Sequence, residues 1–130
     1  MNDHSPTTDL VDYARDLFAP VDEEMNSLCR AAVEFGMPAG WEISPDVGRL
    51  FQLLCRAIGA RKVLEFGTLA GGSALWFARA LPEDGRVVSI EMDPGYAEFA
   101  RSRLKLTGAG YKVEVRVSAA LDALPALTAE

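Results

Sequence analysis

Lys62-Val63-Leu64-Glu65-Phe66-Gly67-Thr68-Leu69-Ala70-Gly71-Gly72-Ser73-Ala74-Leu75 reads as a short buried strand, a glycine-rich turn and the first turn of a helix. That order gathers unpaired backbone N–H groups and the positive end of a helix dipole at one spot, where an anionic group of a ligand is stabilised. A dinucleotide fingerprint, G-x-G-x-x-G, needs its middle glycine so that the backbone can approach a pyrophosphate. Here Gly67 and Gly72 hold the outer positions and Leu69 holds the middle one. Glu65 stands inside the strand, where a phosphate ligand would prefer no acid. A ligand with a carboxylate and a positive charge close together fits these residues better. The structural alternative is a glycine turn that only joins strand to helix.

A second acid supports the ligand reading. Arg86-Val87-Val88-Ser89-Ile90-Glu91-Met92-Asp93-Pro94 is another short apolar strand, and Glu91 stands at its end. Glu91 lies 24 residues after Gly67, and in nucleotide-binding βαβ units an acid near this separation accepts hydrogen bonds from ribose hydroxyls, because a carboxylate offers paired acceptors to a vicinal diol. Alternatively both acids begin the next helix, where negative charge favours the dipole. Asp93 fits that second role and Glu91 the first.

Working outward, strand 62–66 is followed by a helix from about 72 to 81 and the turn Pro82-Glu83-Asp84-Gly85. Strand 86–91, a helix from about 94 to 107, the loop Gly108-Ala109-Gly110 and strand 112–117 come next. Strands alternating with helices imply right-handed βαβ crossovers and a parallel sheet. The tail from Ala119 to Glu130 predicts a short helix with Leu121, Leu124 and Leu127 inward, weakened by Pro125. Upstream, residues 1–60 read as helical. Leu10, Tyr13, Ala14, Leu17 and Phe18 recur at helical spacing before Pro20. Asp22 can cap a second helix bearing Met25, Leu28, Cys29 and Ala32 on one face, with Gly36 near its end. Ser44-Pro45 restarts a third after the breaker-rich 37–43 segment. There Val47, Leu50, Phe51, Leu54, Cys55 and Ile58 form an apolar stripe. These stripes are read as core against a sheet.

Composition sets limits. With 130 residues, 49% of them hydrophobic, the chain holds one domain with a real core, in two parts: helical 1–60 and the ligand-binding half 61–130. A net charge of −6 without any Lys/Arg cluster argues against nucleic acid or an anionic membrane as partner. No apolar run approaches the ~20 residues of a membrane span, and the N-terminus lacks a basic signal-peptide start, so a cytoplasmic location is expected. Cys29 and Cys55 lack paired spacing and read as reduced, buried thiols. The single histidine, His4, lies near the terminus, which argues against histidine catalysis or histidine metal sites.

Pattern and order together resemble the class I S-adenosylmethionine (SAM)-dependent methyltransferases. More narrowly they resemble the cation-dependent O-methyltransferases related to catechol and caffeoyl-CoA O-methyltransferases. The residues that carry the resemblance are Ile43-Ser44-Pro45-Asp46-x-Gly48, Val63 to Thr68, Gly72-Ser73-Ala74-Leu75 and Gly85-Arg86-Val87-Val88. SAM has the chemistry inferred above, a carboxylate beside an ammonium and a sulfonium. The resemblance implies that Ile43 lies over the methionine part of the cofactor. It implies that Glu65, with the backbone of Gly67 and Thr68, holds the amino-acid end, and that Ser73 binds the carboxylate. Glu91 would take the ribose hydroxyls, Met92 would lie against the adenine, and Ala119 would meet the adenine edge through its backbone. Where family members often carry an aromatic residue, this chain has Gly72.

The implied fold is α/β: N-terminal helices, then the first half of a Rossmann-like methyltransferase fold with three parallel strands, truncated before the fourth strand. The family's divalent, magnesium-like cation and catalytic lysine are held by later strands, so no metal ligand and no catalytic residue is expected in these 130 residues. The implied activity is methyl transfer to a hydroxyl of a small aromatic or acyl-CoA-type acceptor, with this portion binding cofactor and inactive alone. The competing reading is a non-catalytic cofactor-binding or self-assembling fragment. A nicotinamide-binding domain is disfavoured by Leu69. Without a fourth strand the first strand has a bare edge, which predicts a homodimer or larger assembly.

Overall fold

A computed structural model describes residues 6–128, so His4 lies outside the described part. Three helices come first: α1 (Pro6–Phe18), α2 (Glu23–Phe35) and α3 (Pro45–Ala57). Asp22 caps α2 by accepting from the Met25 N–H at 3.0 Å, and Gly36 ends it in the left-handed conformation at φ +97°. Pro45 opens α3 behind Ser44, whose side chain makes no capping bond. The fixed φ of proline suffices to start that helix.

The α/β part runs β1 (Lys62–Phe66), α4 (Gly72–Ala80), β2 (Arg86–Glu91), α5 (Pro94–Leu104), a 3₁₀ turn at Gly110–Lys112, β3 (Val113–Val117) and α6 (Ala120–Leu127). Both strand pairs are parallel, in the order β1-β2-β3. Val63 sits opposite Val87, and Val87 opposite Val113. Side chains alternate across a strand, so these valines share one face with Glu65, Ser89 and Val115. Two right-handed crossovers in the same direction place α4 and α5 on that face. Leu75, Trp76, Phe99, Ala100 and Leu104 bury the core there, joined by Met25, Leu28 and Ala32 of α2. Lys112 Nζ donates to the carbonyls of Ala78 and Leu81, a cation at the negative end of α4.

Several sequence expectations change. The apolar stripes of α1 and α3 are not core against a sheet: Leu10, Tyr13, Leu17 and Phe18 face outward, as do Leu50, Leu54 and Ile58. Spacing identified residues on a common face, but α3 turns Gly48, Gln52 and Cys55 toward the interior. Its partner is α4, through Gly48 against Trp76 and Phe51 stacked on Phe77 at 5.0 Å. The tail helix also turns differently. Its buried residue is Ala123, while Leu121 is 79% exposed and Leu124 is also exposed. α6 lies over the second sheet face, where Leu127 lines an open groove of about 480 Å³ with Leu64 and Val88. Leu64 and Phe66 remain about half exposed on that face. α5 stops at Leu104 because the Thr107 hydroxyl and N–H both donate to the Leu104 carbonyl. Cys29 and Cys55 are free thiols, as read, with Cys55 buried and Cys29 half-buried.

The glycine of the Ile-Ser-Pro-x-x-Gly stretch now has a packing reason. A Cβ at Gly48 would lie 2.5 Å from the Trp76 ring. Gly48→Ala should therefore destabilise the chain by about 1–3 kcal/mol, the range of overpacked contacts. Urea unfolding followed by tryptophan fluorescence measures this, and an unchanged midpoint would contradict the packing argument.

Candidate cofactor-binding site

β1 must give way to α4 within five residues, 67–71. Gly67 and Gly71 make the reversal at φ +90° and +95°, conformations that glycine adopts without steric penalty. Leu69 shares the left-handed region at φ +49° and has no such freedom. What holds it is Glu91. One carboxylate oxygen, Oε2, accepts from the N–H groups of Thr68 at 3.0 Å and Leu69 at 2.9 Å; Oε1 accepts from Asp93 N–H at 2.9 Å. The Thr68 and Ser89 hydroxyls are hydrogen-bonded at 2.6 Å beneath the turn, both buried. Asp93 caps α5 by accepting from Gly95 and Tyr96 N–H groups.

Glu65 faces the same space from the end of β1. Its carboxylate accepts from the hydroxyls of Ser73, at the start of α4, and of Ser89. Burial pushes its pKa upward; the two hydroxyls oppose the shift and the Glu91 charge adds to it. A third acid, Glu42, closes the ring from the 36–44 connection. Its Oε1 accepts from Ala70 N–H at 3.3 Å. Burial raises its pKa too; N–H groups of Ala70 and Gly72 counteract this, and the Glu65 charge reinforces it. None of the ion pairs among the described residues involves these three glutamates.

The structure thus brings Glu65, Gly67, Thr68, Ser73 and Glu91 together at the carboxyl ends of β1 and β2, the edge where open α/β sheets bind ligands. Ile43 is half-buried beside them, lining a cavity of about 140 Å³ with Glu42, Gly72 and Trp76. Met92, largely exposed, follows Glu91 at the strand end. Ala119 is the N-cap of α6 and follows Ser118, whose N–H donates to the Glu91 carbonyl. Sequence reading missed Glu42 and Ser89. Ser89 carried a signal, a polar residue inside the run Val87-Val88-Ser89-Ile90. Glu42 carried a weaker one, an acid directly before Ile43.

The O-methyltransferase family model matches residues 18–130. This chain belongs to the O-methyltransferase family. It is 39% identical over 118 residues to a catechol O-methyltransferase of Niastella koreensis, covering 91% of this chain and 53% of that one. A catechol O-methyltransferase of Mycobacterium tuberculosis is 48% identical over 85 residues, 65% of this chain and 39% of its own. Among solved structures, TomG from Streptomyces achromogenes, in complex with SAM, superposes with a TM-score of 0.83 at 42% identity. That match covers 92% of this chain and 53% of TomG. The Bacillus cereus O-methyltransferase in complex with SAH (S-adenosylhomocysteine) gives 0.86 at 36%, over 94% and 55%. The chain thus spans about half the length of most of these relatives, and its α/β architecture is that of the methyltransferase fold.

The raised acids of this O-methyltransferase chain make its stability depend on pH. Glu42 and Glu65 hold protons more firmly in the folded than in the unfolded chain. The folded state therefore carries more protons from about pH 4.3, the unfolded glutamate value, up to the raised folded values, and stability falls as pH rises through that window. At Asp22 burial is outweighed by Met25 N–H and Arg79, so its carboxyl sits low and its opposite contribution disappears only in more acidic solution. Glu65→Gln should gain stability over the wild type more at pH 7.5 than at pH 5. Urea unfolding at both values tests this, and an equal difference would remove the electrostatic account of Glu65.

Proposed function

We propose that these residues form the cofactor-binding half of a SAM-dependent O-methyltransferase that acts on a hydroxyl of a small aromatic or acyl-CoA-type acceptor. The observation that carries the reading is the convergence of Glu65, Ser73 and Glu91 around the Gly67–Gly71 turn at the strand ends. The SAM complex of TomG, the SAH complex of the Bacillus cereus enzyme and the catechol O-methyltransferase relatives support it.

The crevice has the chemistry that such a cofactor requires. When bound, SAM supplies an electrophilic methyl group. Glu65 receives the ammonium end, where its negative charge offsets a positive one in a desolvated place. The Ser73 hydroxyl, released from Glu65 as the ammonium takes its place, and the first turn of α4 take the carboxylate. Glu91 has unused acceptor capacity on Oε1, available to a ribose hydroxyl while its other contacts keep the turn in shape. Ile43 packs on the methionine part, Met92 on the adenine, and the Ala119 backbone meets the adenine edge. Holding the cofactor in one pose is how this half contributes to rate, since methyl transfer needs the acceptor oxygen in line with the methyl carbon. The resemblance implies a divalent cation held by later strands; among the described residues no three His, Cys, Asp or Glu side chains are grouped to hold a metal ion. No residue in these 130 is assigned a catalytic role.

The second reading is a cofactor-binding fragment that assembles with copies of itself. The half-exposed Leu64 and Phe66 and the single-sided pairing of β1 favour it. No helix among the described residues is long and apolar enough to cross a membrane, which agrees with a proposed cytoplasmic location.

Calorimetry with SAH is the direct test of the cofactor reading. Binding is expected, weakened by more than about 1 kcal/mol in Ser73→Ala, the scale of one lost hydrogen bond. A folded sample that binds no SAH, or binds NADH in its place, would remove the assignment. Light scattering at micromolar concentration should report a dimer or larger assembly, because an isologous contact closes on itself and covers the β1 edge. A cooperatively folding monomer would show instead that α6 protects that edge unaided.

A further inference from the structure

The start of α4 is already occupied by a carboxylate from the chain itself. Glu42 reaches across from the 36–44 connection, accepts from Ala70 N–H, and also faces the Gly72 N–H. These are free donors at the positive end of a helix. Gly72 leaves the space for it: a Cβ on residue 72 would collide with Glu42 Oε2. Gly72 is thus matched, from the distant 36–44 connection, by an acid that uses the room. We propose that Glu42 is an internal occupant of the place where the cofactor's carboxylate binds. The cofactor must displace it, so Glu42 sets the affinity and the pH response of the site. This rests on the cofactor reading above.

Three observations support a displaceable contact over a permanent cap. The Ala70 bond is long at 3.3 Å, at the weak end of the range. The Glu65 charge opposes an anion at that spot, and burial opposes it further. Pro38, Ala39, Gly40 and Trp41, directly before Glu42, are all exposed, while Met37 and Ile43 on either side are held by the core. A ligand carboxylate that arrives with its own ammonium brings a partner for Glu65. Glu42 has no such partner, and exchange of one anion for the other relieves the repulsion.

The groups that face Glu42 decide the pH response. From β1 there is Glu65, with Glu91 of β2 behind it; from α2 the Cys29 thiol, kept neutral by burial and by the Glu42 charge, and the uncharged Asn26. Protonating Glu42 releases the α4 donors and favours the cofactor. Protonating Glu65 weakens the hold on the ammonium and acts in the opposite sense. Comparing Glu42→Gln with the wild type isolates Glu42 together with its repulsion of Glu65, because both proteins share the rest of the Glu65 contribution.

SAH affinity measured by calorimetry at pH 7.5 and 5.5 tests the proposal. Glu42→Gln should bind about three- to tenfold tighter at pH 7.5, the effect of removing one charged competitor for weak donors. That ratio should shrink toward one at pH 5.5. Glu42→Ala, which also removes the amide oxygen of glutamine as an acceptor, should behave the same way. In wild-type protein the Ala70 and Gly72 amide resonances should titrate with the Glu42 carboxyl, and lose that titration when SAH saturates the site. This keeps the test open if a variant fails to fold. Equal affinities at both pH values overturn the proposal and leave the cofactor reading intact. Weaker binding by Glu42→Gln overturns it as well and makes Glu42 a partner for the ligand's positive charge. No SAH binding by any of the proteins overturns both readings together.

Discussion

The Glu91 carboxylate accepts from three backbone N–H groups, two of them in the turn that joins β1 to α4. A left-handed residue other than glycine costs roughly 1–2 kcal/mol, and Leu69 is such a residue. Hydrogen bonds to a charged acceptor contribute about 1.5–3 kcal/mol each, so two of them outweigh that cost. The turn therefore keeps a shape that its own residues would not choose. Everything at the crevice inherits its position from that shape: where α4 begins, where Ser73 reaches Glu65, and which N–H groups point outward. Ser89 adds a second tie by bonding both Thr68 and Glu65 from the middle of β2.

The same arrangement creates an electrostatic demand. Three glutamates line one crevice, and burial together with their mutual repulsion raises two of them. A pyrophosphate would worsen the repulsion. A ligand with an ammonium and a sulfonium beside its carboxylate relieves it and still uses the helix end. The choice between cofactor classes thus follows from charge as much as from the missing middle glycine. Family membership and the solved complexes of related enzymes agree with that physical argument.

The N-terminal helices serve the crevice indirectly. Gly48 lets α3 settle on Trp76, and Arg79 of α4 pairs with Asp22 and Glu24 at the start of α2. Glu24 in turn accepts from Gly108 N–H, beyond α5. These contacts fix the ends of the 36–44 connection, and so place Ile43 and Glu42 over the glycine turn. One side of α4 is covered in this way, while the outward apolar residues of α1 and α3 are not.

Local chemistry was readable from residue order. The strand, turn and helix at 62–75, the caps at Asp22 and Asp93, the Ser44-Pro45 restart and the acid at Glu91 all depend on neighbours within a few positions. Such short-range rules act before any tertiary contact forms. The grouping of Glu65, Ser73 and Glu91 also followed from order, because a parallel βαβ unit brings its strand ends to one edge. Other features needed the folded chain. Periodicity tells which residues share a helix face but not what lies opposite, so the stripes of α1 and α3 and the leucines of α6 were assigned to a core that covers them only in part. Glu42 stood in an irregular stretch with no spacing to mark it. Its place over Gly72 is a meeting of distant segments, decided by how α2, α3 and α4 pack. The support that buried Glu91 gives the turn was likewise visible only once its N–H partners at Thr68 and Leu69 were in place.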